Sequence, residues 1–121
     1  MIILAKIFTG IVALEHLFIF WIEAFAWEVK GPKVFSTLPA SLFKETKGIA
    51  ANMGLYNGFL AAGMIWSFFI SDPMWSLNIA TFFVGCVVVA AIYGGLTVDN
   101  GIVVKQGVPA FIAMAFLLLV R

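Results

Sequence analysis

Three ionisable side chains, Glu15, His16 and Glu23, stand in an otherwise largely apolar stretch running from Ile2 to Trp27. A carboxyl beside an imidazole can pass a proton without help from any cofactor, which is the chemistry of an acid/base pair or a proton relay. At 100° per residue and with Glu15 as zero, Glu23 falls at about 80° and His16 at about 100°, so the three share roughly a quarter turn of one helix. An acidic group such as Asp costs about 2.5–3.5 kcal/mol at the centre of a membrane helix, and such groups normally face the bundle interior. Asn52, Tyr56 and Asn57 in a second apolar segment, Tyr93 in a third and Gln106 in a fourth are the matching hydrogen-bonding residues. Asn52 and Tyr56, four apart, share a helix face.

The surrounding composition says what must carry these groups. Of 121 residues, 64% are hydrophobic and 11% charged, against about 45–50% and about 25% in soluble domains; the mean hydropathy is +1.12. A formal net charge of +1 provides no basic face for nucleic acid. The single cysteine, Cys86, excludes an intrachain disulfide, a CxxC pair and a cysteine zinc site, and reads as an apolar filler in a valine run. One histidine with two carboxylates at this spacing is a poor ligand set, so no metal and no cofactor are expected.

Four segments have the length and apolarity of spans: 2–27, 48–70, 75–96 and 102–120. Crossing the membrane takes about 20 apolar residues as a helix, and a membrane barrel needs at least about eight strands, which this chain is too short to supply. The expected fold is therefore all-α, an integral membrane four-helix bundle in one domain. The first segment is too long and too charged for a signal peptide and reads as retained. Ser71-Asp72-Pro73-Met74 and Asp99-Asn100-Gly101 are turns. Residues 28–47 form the one long connection, with Lys30, Lys33, Lys44 and Lys47 and the apolar pairs Val34-Phe35 and Leu42-Phe43. They predict a short helix lying in the headgroup layer.

The connections after the first and third spans hold five lysines, against Lys6 and Arg121 on the other side. The loop 28–47 is thus expected in the cytoplasm and both termini outside, in a multi-pass protein of the cell inner (plasma) membrane. Trp27, Trp75 and Tyr93 sit near span ends, where amphipathic rings settle. Ala50, Gly54, Gly58 and Ala62 make a ladder of small residues that lets another helix approach. Pro109 beside Gly107 predicts a kink in the fourth span.

At 1.5 Å per residue from the loop side, Glu23, Asn52, Tyr93 and Gln106 lie about 4–6 Å deep, Tyr56 and Asn57 about 12–14 Å, and Glu15 and His16 about 16–18 Å. These residues describe a funnel open to the cytoplasm and closed near the midplane. Beyond it the helices are almost purely apolar, with Phe8, Ile65, Phe68, Phe69 and Phe82, which argues against a continuous aqueous pore.

The runs Ala13-Leu14-Glu15-His16, Ala50 through Gly63 (AANMGLYNGFLAAG), Gly85-Cys86, Tyr93-Gly94 and Gln106-Gly107-Val108-Pro109-Ala110 resemble the motifs of the uncharacterised membrane-protein family called domain of unknown function 1304. The resemblance spans essentially the whole chain. It implies four membrane spans and no assigned activity, with motif positions at Glu15, His16, Asn52, Tyr56, Asn57, Tyr93, Gln106 and Pro109.

Three functions fit these residues. The first is binding, or proton-coupled transport, of a small, partly apolar molecule in a cytoplasm-facing pocket; transport by so short a chain would call for a homodimer. The second is an intramembrane acid/base enzyme, isomerase-like, acting on a lipid-soluble substrate. The third is a structural or accessory subunit, in which the polar residues only hold helices together, each such bond being worth about 0.6–2 kcal/mol. Membrane lipids are the expected surroundings in all three.

Overall fold

The computed structural model describes residues 1–101 and 103–121. Among the described residues the chain is helical throughout, without strands: α1 (Ile2–Phe25), α2 (Trp27–Val34), α3 (Lys47–Phe68), α4 (Pro73–Thr97) and α5 (Val108–Leu119), with a 3-10 turn at Ala40–Leu42 and a π-helical turn at Val103–Gly107. Each long apolar run thus becomes a helix, in which the backbone satisfies its own hydrogen bonds. The fourth span was expected to begin at Ile102, which lies outside the described residues.

Among the described residues two helices, α1 and α4, are long and apolar enough to cross a membrane. α3 has 22 residues but is diluted by Lys47, Asn52, Asn57 and four glycines. Residues Val103–Leu119 are apolar but shorter.

The chain forms two compact units, Met1–Glu15 with Leu60–Arg121, and His16–Phe59. The core of the first is built mostly of small and branched side chains, among them Ala5, Val12, Ala80, Val84, Val87, Ala113 and Leu117, with the unbranched Met64. On α4 the buried residues Leu77, Ala80, Val84, Val87, Ala91 and Gly95 all fall within about 40° of one line along the helix. Phe8 and Phe116 stack with ring centroids 5.7 Å apart. The C-terminal Arg121 guanidinium donates to Asn78 Oδ1 and Thr81 Oγ1, each at 2.9 Å.

α4 starts where its sequence says it should. Pro73 occupies the first turn, where a missing N–H costs nothing, and the Asp72 carboxylate accepts from the Met74 N–H at 3.2 Å. Replacing Asp72 with alanine should lower stability by about 1 kcal/mol, with asparagine retaining most of it; thermal unfolding of the two purified variants in one detergent checks this.

The irregularity expected at Gly107–Pro109 takes the form of the π-helical turn at Val103–Gly107, after which α5 begins with Pro109 in its first turn. The wide turn absorbs the donor that proline lacks, so the fourth segment is a π turn followed by a new helix start.

The second unit departs from the expected headgroup-layer loop. The short helix is there, as α2, but Phe43 turns inward, with Val34, Phe35 and Leu38 partly buried against it, while Leu42 stays exposed. Phe43 is 2% exposed and packs with Ile22, Trp27 and Ala50, with Val34, Phe35 and Leu38 alongside. The Trp27 ring lies 4.7 Å from that of Phe43 and 5.3 Å from that of Phe35. Gly31 makes room: a Cβ there would sit 2.6 Å from the Phe43 ring. Burying three aromatic rings against one another removes more apolar surface from water than laying them along a headgroup layer would. Glu28 and Lys47 pair at 3.4 Å across the base of the connection, as an exposed bridge of small energetic weight.

Candidate functional site

In the second unit, α1 and α3 run close together because the α3 face turned to α1 is nearly bare. A Cβ on Gly54 would lie 2.9 Å from both the Ala24 nitrogen and the Glu23 Cβ, and one on Gly58 would lie 3.2 Å from the Phe20 ring. This close pass brings Glu23 to Asn57. The Asn57 amide Nδ2 donates to Glu23 Oε1 at 2.6 Å, and Glu23 is only 4% exposed. A buried carboxyl without such a partner would be far more costly.

Beside this pair lies a cleft of about 210 Å³, lined by Glu23, Trp27, Leu38, Thr46, Ala50 and Met53 among others. A cavity of about 150 Å³ suffices for a benzene-sized guest, so the cleft has room for a molecule somewhat larger. Its walls are mostly apolar. Of its polar groups, the Trp27 Nε1–H donates to Thr46 Oγ1 at 3.0 Å, and the Thr46 hydroxyl donates to the Leu42 carbonyl at 2.8 Å. Asn57 occupies one carboxyl oxygen of Glu23. Among the described residues no buried polar side-chain atom lacks a partner, so the second oxygen of Glu23, a cleft-lining residue, keeps some access to solvent.

The residues singled out by sequence are placed as follows. Glu23 and Asn57 meet. His16 is buried, in the same unit. Glu15 is half-buried and belongs to the other unit, as do Tyr93 and the half-buried Gln106. Asn52 is exposed and spends its amide on the Gly48 carbonyl of its own helix at 3.0 Å, and Tyr56 is 63% exposed. The reason is angular. Ala50, Asn57 and Gly58 lie within about 60° of Gly54, whereas Asn52 and Tyr56 both lie about 160° from it, on the opposite side of α3. Tyr93 is 68% exposed, being about 160° from Ala91 on the buried line of α4. The polar residues that share a face with one another thus do not share the face of Glu23.

Trp27, Thr46, Ala50, Leu38 and Met53 escaped the sequence reading as cleft residues. Trp27 read as an interfacial ring, and nothing in its spacing to Thr46, nineteen residues on, announces their bond. For Ala50 the signal was present, since it belongs to the small-residue ladder with Gly54.

An all-helical chain with two helices long and apolar enough to cross a membrane, and a partnered carboxyl beside an apolar cleft, defines the class. The chain belongs to the family described as "Protein of unknown function (DUF1304)", which matches residues 10–118. It is similar to the "Uncharacterized protein YpaA" of Lactococcus lactis, with 32% identity over 116 residues, 94% of this chain and 96% of that one. No solved structure matches it.

Proposed function

We propose that this protein binds a small, partly apolar molecule in the cleft beside Glu23. The observation that carries the reading is the juxtaposition of a buried carboxyl, held by Asn57, with about 210 Å³ of mostly apolar-walled space. A pocket of this kind, apolar with one placed polar group, is the usual form of a small-molecule site. In the fuller reading the chain is a four-span bundle in the plasma membrane, termini outside and residues 28–47 in the cytoplasm, as the lysine distribution favours. The cleft, formed partly by that connection, then opens on the cytoplasmic side. His16, roughly 10 Å further along α1 from Glu23 within the same unit, and Glu15, its neighbour in sequence, are the groups to pass a proton if binding is coupled to transport by a pair of chains.

The test uses a variant in which Trp21, Trp66 and Trp75, all exposed, are replaced by phenylalanine, so that Trp27 alone reports. Titration with 2-phenylethanol in detergent should change Trp27 emission saturably. Adding Ile49→Phe and Met53→Phe, two exposed cleft residues, should abolish the response. An unsaturable response, or one that survives the filled cleft, would end the reading.

A further inference from the structure

The hydrogen-bond inventory of the cleft restricts what it can hold. The lining holds two side-chain donors, and each is already spent: the indole N–H on Thr46 and the Thr46 hydroxyl on the Leu42 carbonyl; Asn57, outside the lining, gives one N–H of its amide to Glu23 Oε1. What is left over is an acceptor, the second oxygen of Glu23. An indole stands in the wall at Trp27, and of the aromatic rings indole attracts cations most strongly. Lys30, Lys33, Lys44 and Lys47, the cations of the same unit, are all exposed, and Lys47 is paired with Glu28. Lysine is absent from the cleft lining.

Resting on the reading that the cleft binds a small molecule, we infer that its ligand class is the protonated amine: an ammonium group on a short apolar body, the N–H directed at the free Glu23 oxygen and the body against Trp27, Leu38 and Met53. A carboxylate ligand would bring a second negative charge to a buried carboxyl and find no unspent donor among the lining side chains. A neutral alcohol could donate to the same oxygen, but without the charge that makes a hydrogen bond to a carboxylate strong. Asn57 would hold the carboxyl in place while the ammonium supplies the missing counter-charge.

The Trp27-only variant described above distinguishes these cases through three probes of one shape: 2-phenylethylammonium, 2-phenylethanol and phenylacetate, at pH 7. The amine should bind about tenfold or more tightly than the alcohol, and the acid should not bind. The preference should fall at 1 M salt less than a surface pair would, since a buried pair is little screened. Glu23→Gln, which keeps an oxygen for Asn57, should cost the amine more affinity than the alcohol and so erase the amine's advantage. Equal binding of amine and alcohol by the unsubstituted cleft would overturn the inference and leave the binding reading standing, without recourse to any Glu23 variant. Tighter binding of phenylacetate would overturn it as well. Failure of all three probes would remove both.

Discussion

Truncating Trp27 to alanine is expected to cost about 3–5 kcal/mol of unfolding free energy, the range for removing a buried large aromatic side chain. The indole is 8% exposed, touches the rings of Phe35 and Phe43 and anchors Thr46 through its N–H. It is the hub on which the connection between α1 and α3 closes. With it gone, Phe43 loses its principal neighbour, Gly31 has nothing to make room for, and residues 35–46 should become the first site of proteolysis. Trp27→Phe should keep much of the packing and lose the bond to Thr46, a deficit nearer 1 kcal/mol from the hydrogen bond with an added share from lost ring volume. Thermal unfolding and limited proteolysis of both variants in one detergent check the order. A Trp27→Ala protein as stable and as protease-resistant as the parent would mean that the aromatic cluster does not hold the connection.

The second large effect belongs to Gly54. Valine there puts its Cβ against the Ala24 backbone and the Glu23 Cβ at 2.9 Å, and its branches add to the crowding. Backbone cannot swing aside as a flexible side chain can, so α1 and α3 must part within the second unit. The expected cost is about 1–3 kcal/mol, partly offset by the better helix propensity of valine over glycine. Separation of the helices should also break the 2.6 Å bond between Asn57 and Glu23, so the variant should lose probe binding in the cleft along with its stability. Gly48→Ala is the matched control: nothing lies within 4 Å of a Cβ there, and the change should be neutral or stabilising by up to about 1 kcal/mol. Similar unfolding temperatures for Gly54→Val and Gly48→Ala would show that no close pass exists at Gly54.

Both predictions bear on how a small chain keeps an acidic group inside an apolar body. Glu23 is tolerable because Asn57 reaches it, Asn57 reaches it because Gly54 and Gly58 let α1 approach α3, and the cleft beside them is walled because Trp27 gathers the connection. Loss of the glycine or the tryptophan therefore reaches the same carboxyl by different routes. Glu23→Gln, by contrast, should leave the architecture intact and change only what the cleft prefers.

The long apolar runs, the turns at Asp72-Pro73 and Asp99-Asn100-Gly101, the irregularity at Gly107–Pro109 and the small-residue ladder on α3 were all legible in the residues alone. Local chemistry determines each of them: backbone self-satisfaction in apolar segments, proline's missing donor, an aspartate cap, the absence of a Cβ. Even the outward placing of Asn52 and Tyr56 was available from sequence. Measured against Gly54 of the small-residue ladder rather than against one another, their helical angles of about 160° already put them on the far side. Only the tertiary structure could decide that Trp27, Phe35 and Phe43 turn inward on one another, that Thr46 takes the indole N–H, and that a cleft opens beside Glu23. Those side-chain contacts join residues up to 19 positions apart, and the Glu23–Asn57 bond joins residues 34 apart; no local propensity encodes which distant partner a side chain will meet. That choice falls to the packing that removes the most apolar surface while leaving no buried polar group alone.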